Sequence, residues 1–151
     1  MNELINILNL AKKQWGIETV QAIIRKIEQD NIIWEGNLKN SIRFKQDEKT
    51  GDITFLMKEY GEYLDEGVNG TRSAYATQYQ YRGNWKGMGF ALTKWADSKG
   101  LNPYAVARSL QEKGLKPRRF FKSVIESRAE DLATSIGTAY NDYLSGLLGN
   151  Q

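Results

Sequence analysis

The sequence predicts an α+β fold: a single domain in which N-terminal helices and a long C-terminal helix pack on a small antiparallel sheet. Residues 42–57 alternate apolar and polar side chains on both sides of a Gly-containing turn, which predicts a β-hairpin. Apolar residues recur every three or four positions near both ends of the chain, which predicts amphipathic helices. No Pro- or Ser-rich linker divides the 151 residues, so we expect one domain over residues 1–151.

The N-terminal half is expected to contain two helices before the hairpin. The apolar spacing predicts helices over residues 3–14 and 18–30, with Gly16 between them as a stop signal. Residues 38–42 are predicted to form a short helical turn that leads into the first strand. Residues 60–67 are expected to leave the sheet and to turn into a loop.

The C-terminal half is expected to begin with a long loop and to end with helices. Residues 68–90 are rich in glycine and aromatic residues, and a loop of this length in a small domain is usually functional or ordered by a partner. Helices are predicted over residues 90–97 and 103–113, the second opened by Asn102 and Pro103 and ended by Gly114. The longest helix is predicted to follow Pro117, with Arg128 interrupting its apolar stripe.

The composition argues against most catalytic and metal chemistry. The chain contains no histidine and no cysteine, which removes the commonest general base, thiolate chemistry and the usual zinc ligands. An oxygen-only magnesium site could still use the acids within residues 59–66, but two-metal nucleases draw their carboxylates from separate elements. We therefore expect no enzymatic activity and no cofactor, with a metal-dependent nuclease as the weakest alternative.

The sequence contains no signal-peptide pattern and no apolar run long enough to span a membrane. We therefore expect no membrane partner and a location in the cytoplasm or in a particle assembled there. Net charge is +3, but acids concentrate in residues 43–67 and bases in residues 69–90 and 115–128. Such a bipolar chain suits head-to-tail association with copies of itself at least as well as nucleic-acid binding.

The charged and aromatic segments supply the candidate contact residues. The acidic side of a contact between subunits is assigned to Glu62, Asp65 and Glu66, and the basic side to Arg118 and Arg119. The two arginines are expected in the first turn of the C-terminal helix, where the helix dipole disfavours cations, so an acidic partner in the same chain or in the next subunit would relieve the mismatch. Phe120 and Phe121 are expected in the core.

The loop over residues 68–90 has two functional interpretations. Its aromatic residues can form a protein interface, because tyrosine and tryptophan are enriched at interface cores; the residues assigned to this role are Tyr75, Tyr79, Tyr81 and Trp85. Its basic residues, interleaved with those aromatics, can contact single-stranded nucleic acid; the DNA-facing candidates are Arg72, Arg82 and Lys86.

Three motifs together resemble a known family. They read Gly-Asn-Leu-Lys-Asn-Ser-Ile at 36–42, Tyr-Gly-Glu-Tyr-Leu-Asp-Glu-Gly at 60–67 and Lys-Pro-Arg-Arg-Phe-Phe at 116–121. Their order and spacing resemble the gene-ten-like putative tail-component family, the neck or tail-completion proteins of the head-tail connector of long-tailed phages. The resemblance extends over roughly residues 17–145, with the loop at 68–90 longer than the family pattern.

The resemblance implies a structural virion protein without catalytic function. It implies a hexameric or dodecameric ring of identical subunits at the head-tail junction, with phage DNA passing through its channel. It also implies head-closure or portal proteins on one side and tail terminator or tail tube proteins on the other. The alternatives are a tail terminator ring protein and a small nucleic-acid-binding protein that uses residues 68–90.

Overall fold

The computed structural model describes residues 2–30, 37–80, 96–97 and 99–149, and its helices and two-stranded antiparallel sheet confirm the α+β class. The chain forms two compact units. The first comprises Met1–Ile32, Ser41–Leu56 and Phe121–Gln151, and the second comprises Ile33–Asn40 and Met57–Phe120. Each unit is assembled from separate stretches of sequence, so neither corresponds to one continuous segment of the chain.

Helix α1 runs without interruption over Asn2–Gln29, so the prediction of two helices separated at Gly16 is wrong. Gly16 is buried inside this helix, and a Cβ at this position would lie 3.0–3.2 Å from three atoms of the Phe44 ring. The glycine therefore lets the helix approach an aromatic ring of the sheet and does not end the helix. Ile23 and Ile27, which lie in the segment 18–30 predicted as the second helix, are fully buried.

The hairpin is confirmed. Strand β1 (Arg43–Gln46) pairs with β2 (Ile53–Leu56) in a register that places Phe44 opposite Phe55. Phe55 packs edge-to-face on Trp15 of α1, with ring centroids 5.5 Å apart. The helix thus covers the apolar side of a hairpin that would be marginal alone.

The turn of the hairpin is organised by one aspartate. The Asp47 carboxylate accepts hydrogen bonds of 2.8 Å from the main-chain N–H groups of Lys49 and Thr50. These bonds hold the pKa of Asp47 below its usual value, with the hydrogen bond from Thr50 the largest cause. A short helix, α2 (Asn37–Ser41), precedes the hairpin as predicted, and Leu38 within it is buried.

The C-terminal helical run starts later than predicted and is divided in two. Helix α5 spans Lys122–Ser127 and helix α6 spans Ala129–Gly149. The break falls at Arg128, the residue that interrupts the apolar stripe in the sequence. Helix α6 packs on α1, which itself contacts both strands. Phe120 and Phe121, just before α5, are buried as predicted.

The second unit contains helix α3 (Tyr60–Glu66) and helix α4 (Pro103–Lys113). The Asn102 side chain accepts a hydrogen bond of 2.9 Å from the N–H of Tyr104, and Gly114 ends α4 at a positive φ of 68°. Both caps were predicted. The predicted helix over residues 90–97 lies outside the described residues except for Ala96 and Asp97. Among the described helices, none combines the length and the apolar character required to cross a bilayer.

Candidate functional site

Helices α3 and α4 cap each other's C-terminal ends through main-chain hydrogen bonds. The N–H groups of Arg118 and Arg119, which follow α4, donate to the carbonyls of Leu64 and Asp65 at 3.0 and 3.1 Å. In return the N–H groups of Thr71 and Arg72, which follow α3, donate to the carbonyls of Gln111 and Glu112 at 2.8 Å each. The last carbonyls of a helix have no partner within the helix. Each helix therefore receives its missing donors from the chain that follows the other.

An isolated antiparallel β-bridge lies between these two sets of hydrogen bonds. Val68 and Leu115 exchange main-chain hydrogen bonds of 2.9 and 2.8 Å in an antiparallel bridge. Residues 64–72 and 111–119 thus form one paired structure, which we call the capping seam. It joins the motif at 60–67 to the motif at 116–121, about fifty residues further along the chain.

Glycines make the seam possible. A Cβ on Gly67, whose φ is +81°, would lie 2.6 Å from the Leu115 carbonyl oxygen and 2.8 Å from the Pro117 ring. A Cβ on Gly114, whose φ is +68°, would collide with the Val68 carbonyl oxygen and the Gly70 nitrogen. A Cβ on Gly70 would collide with the main chain of Glu112 and Gly114. At these positions any side chain would separate the two backbones.

The placement of Arg118 and Arg119 corrects one prediction. They precede α5 and do not occupy the first turn of a helix. Arg119 has a φ of +51°, which no α-helix allows, and the N–H groups of both arginines are used by α3. The expected conflict with the helix dipole therefore does not arise. Both side chains are exposed, and the contact of the two backbone N–H groups with α3 does not involve the arginine charges.

The acidic candidates lie on α3, where the sequence predicted a loop; that prediction is wrong. Glu62 is exposed and Glu66 is half-buried. Asp65, predicted as a contact to another subunit, is only 3% exposed. Because its side chain is enclosed within the chain, we do not include it in the proposed contact surface.

The first part of the predicted long loop is organised by its own hydrogen bonds. The buried Asn69 side chain donates to the Thr77 carbonyl at 2.9 Å and accepts from the Tyr75 N–H at 2.6 Å. The Asn69 N–H donates to the Tyr79 carbonyl at 2.9 Å. Residues 69–79 therefore form a loop closed on one asparagine. Tyr75, a candidate interface residue, is half-buried in it.

Tyr79 connects this loop to helix α3. Its ring packs edge-to-face on Tyr63 with centroids 4.7 Å apart, and its hydroxyl donates a hydrogen bond of 2.9 Å to the Glu62 carboxylate. This hydrogen bond is the main cause that raises the pKa of Tyr79 above its ordinary value. Gln78 likewise donates to Glu66 at 3.2 Å. Helix α3 and the loop over residues 69–79 therefore present one combined surface.

The remaining candidates are placed only in part. Arg72 is exposed and lies 3.8 Å from the Glu112 carboxylate, in a pair too open to contribute much stability. Tyr81, Arg82, Trp85 and Lys86 lie outside the described residues. Among residues that the structure does describe, no three carboxylates are grouped as metal ligands would be.

The chain was compared with known proteins by sequence and by structure. No protein-family model, no curated protein and no solved structure matches it.

Sequence reasoning missed the seam, although a signal for it was present. Gly114 follows the predicted helix over residues 103–113, and the end of a helix requires backbone donors from elsewhere. Residues 60–66, before Gly67, were predicted as a loop, so the sequence signalled only one of the two helix ends. What the sequence could not show is that each helix draws its donors from the segment after the other one.

Proposed function

We propose that this chain is a structural protein of the head-tail junction of a long-tailed phage. In this role it is a neck or tail-completion subunit that forms a ring of identical copies and catalyses no reaction. The proposal rests on the resemblance carried by residues 36–42, 60–67 and 116–121, and on the absence of histidine and cysteine from the sequence.

The capping seam is the observation that supports the proposal most directly. Taken separately, the motif at 60–67 and the motif at 116–121 are short patterns that unrelated proteins also contain. The seam couples them, because the backbone of Arg118 and Arg119 completes the helix formed by the first motif. Residues that depend on each other physically are expected to occur together at fixed order. Two of the three motifs that carry the resemblance therefore belong to one structural unit and are not independent short matches.

The surface around the seam offers a contact for neighbouring copies. Glu62 on α3 and Arg118 after α4 are both exposed. Glu62 lies just before the seam segment 64–72, and Arg118 lies within the seam segment 111–119. We propose that Glu62 and Glu66 of one copy face Arg118 and Arg119 of the next. Tyr79 lies beside the acidic residues and Tyr75 in the same loop, where aromatic side chains would form the apolar centre of such a contact.

The function is tested by deleting the gene from a phage that encodes it. Particles should then accumulate as filled heads and complete tails that do not join, and the gene supplied in trans should restore joining. Tails of irregular length would instead indicate the tail terminator alternative. Fully joined, infectious particles in the absence of the gene would overturn the proposal.

The proposed contact is tested separately by charge reversal. The variant Arg118→Glu with Arg119→Glu should fail to complement the deletion and fail to form rings, while its circular dichroism stays that of the wild type. The matched control is Arg43→Glu with Lys45→Glu, which makes the same charge change at two exposed positions of β1 and should complement. Equal complementation by both variants would show that Arg118 and Arg119 do not form the contact.

A further inference from the structure

Helix α6 has two apolar faces, and among the described residues only one of them is half-buried. The half-buried face consists of Leu132, Ile136, Ala139 and Tyr143, and α6 packs on α1. The second face, the outer stripe, is exposed along its whole length; it consists of Ala133, Gly137, Tyr140, Leu144, Leu147 and Leu148. Tyr140 is 44% exposed, Leu147 51% and Leu148 71%.

The spacing of the outer stripe is that of a helix-packing seam. Positions 133, 137, 140, 144 and 147 alternate steps of four and three, the heptad pattern by which one helix packs against another. A stripe needed only for solubility would be polar at these positions.

Gly137 indicates close approach from outside the chain. Glycine inside a helix costs roughly 1 kcal/mol relative to alanine, so its use in the middle of α6 calls for a reason. Apart from its chain neighbours and the nearby backbone of its own helix, no atom of the described residues lies within 4 Å of the place its Cβ would occupy. Packing among the described residues therefore does not require the glycine, whereas an external helix passing close to α6 would.

The charges of α6 argue for a protein partner and against a lipid surface. Helices that lie on membranes carry lysine or arginine along their polar face. Helix α6 has neither, and its charged residues are the acids Glu130, Asp131 and Asp142. An anionic bilayer would repel such a helix.

We infer that the partner is a second copy of this chain, packed antiparallel along the outer stripe about a two-fold axis near Tyr140. The stripe has small residues at one end, Ala133 and Gly137, and large ones at the other, Leu144 and Leu147. An antiparallel copy places each leucine opposite a small residue, so the surface complements itself. A parallel copy would place leucine against leucine and leave a gap beside the small residues.

The acids at the start of α6 favour the same orientation. In an antiparallel pair Glu130 and Asp131 of the two copies lie at opposite ends, whereas a parallel pair would bring all four together. From the exposed fractions, two such stripes would bury roughly 1,000 Å² in total, which is at the low end for a specific interface. We therefore expect a reversible dimer that forms with increasing concentration. The inference is independent of the proposed ring, because ring contacts are head-to-tail and this one is two-fold.

The natural absence of cysteine allows a direct test by single introduced cysteines. Tyr140→Cys should form a disulfide with its own copy under mild oxidation. Leu147→Cys should not, because two copies of residue 147 would be about 21 Å apart along the helices, beyond disulfide reach. A mixture of Ala133→Cys and Leu147→Cys chains should give the mixed dimer.

The outcomes separate the alternatives. Self-crosslinking of Leu147→Cys as efficiently as Tyr140→Cys would indicate a parallel pair and overturn the antiparallel arrangement. Sedimentation measures the dimer without crosslinks, and Leu144→Asp should weaken it on the order of a hundredfold, because each carboxylate would be buried unpaired. A wild-type chain that stays monomeric at high concentration, or a Leu144→Asp dimer of unchanged affinity, would overturn the inference. Thr138→Asp, on an exposed position outside the stripe, is the matched control and should dimerise normally.

Discussion

The indole N–H of Trp15 donates a hydrogen bond of 2.8 Å to the main-chain carbonyl of Arg128, 113 residues away in sequence. Arg128 is the residue at which the C-terminal helical run is interrupted. Its guanidinium donates to the hydroxyl of Thr19, at 3.0 Å, and lies 3.3 Å from the Glu18 carboxylate. Helix α1 therefore holds both the backbone and the side chain of the residue between α5 and α6. This arrangement fixes the point where α6 begins and the face that it turns toward α1.

Trp15→Phe tests the hydrogen bond while retaining most of the buried ring. Trp15 is 6% exposed. The Arg128 carbonyl also accepts a hydrogen bond from the N–H of Leu132, so this carbonyl keeps one partner in the variant. We expect a loss of about 1–2 kcal/mol in the free energy of unfolding, measured by denaturant titration. Tyr104→Phe, at a position 86% exposed, should change stability little. Equal losses in the two variants would assign no specific role to the Trp15 N–H.

Gly16→Ala and Gly137→Ala form a matched pair within helices. At Gly137 the added methyl meets open space, so the intrinsic preference for alanine should raise stability by about 0.5–1 kcal/mol. At Gly16 the methyl lies 3.0 Å from the Phe44 ring, and this crowding should cancel the gain. Denaturant titrations at low protein concentration measure both effects on the monomer. An equal gain at both positions would show that the Phe44 ring moves freely.

Gly114→Ala and Gly100→Ala separate two effects of adding a Cβ: the conformational penalty of a positive φ and the collision with neighbouring main-chain atoms. Both glycines have a φ of +68°, but only Gly114 has main-chain atoms where a Cβ would go. Gly100→Ala should cost about 1–2 kcal/mol, the conformational penalty alone. Gly114→Ala should cost clearly more, because the capping seam must open. Thermal unfolding compares the two, and a similar loss in both would mean that the seam adapts without cost.

The lowered pKa of Asp47 should make the free energy of unfolding depend on pH in the acid range. Its pKa is lowered in the folded state by the N–H groups of Thr50 and Lys49, so its contribution to stability is present above the unfolded pKa of about 3.9. That contribution is lost as pH falls through the folded pKa. Asp47→Asn should therefore have a flatter dependence of stability on pH below about pH 4. Glu48→Gln removes the same charge next door and controls for net charge; if both variants behave alike, the turn hydrogen bonds are not the cause.

The sequence was sufficient where structure depends on neighbouring residues. The Asn102 cap, the Gly114 stop and the hairpin all follow from local patterns and agree with the structure. The interruption of the apolar stripe at Arg128 is also visible in the sequence, but the sequence predicted one continuous helix where the structure has two. Burial of Phe120 and Phe121 was also predicted from their type and position.

The wrong predictions share a physical cause, which is contact between distant segments. Gly16 reads as a stop signal until Phe44 is placed against it. Residues 60–66 lack a side-chain N-cap and contain a glycine, so their helix depends on donors from Arg118 and Arg119. Asp65 reads as a surface acid until the chain encloses it. No short window of sequence contains the first two pairings, because each joins residues from well-separated parts of the chain.

The capping seam has a consequence for how this sequence can drift over generations. Its hydrogen bonds join main-chain N–H and C=O groups, which every residue supplies except that proline lacks the N–H, so most side chains along it are free to change without loss of pairing. Because a Cβ at Gly67, Gly70 or Gly114 would collide with the opposite backbone, we expect selection on the seam to act mainly on these three glycines and on the distance between them. Distant relatives would keep that sparse pattern long after overall identity has faded. A search for them should accordingly weight glycine spacing above residue-by-residue agreement.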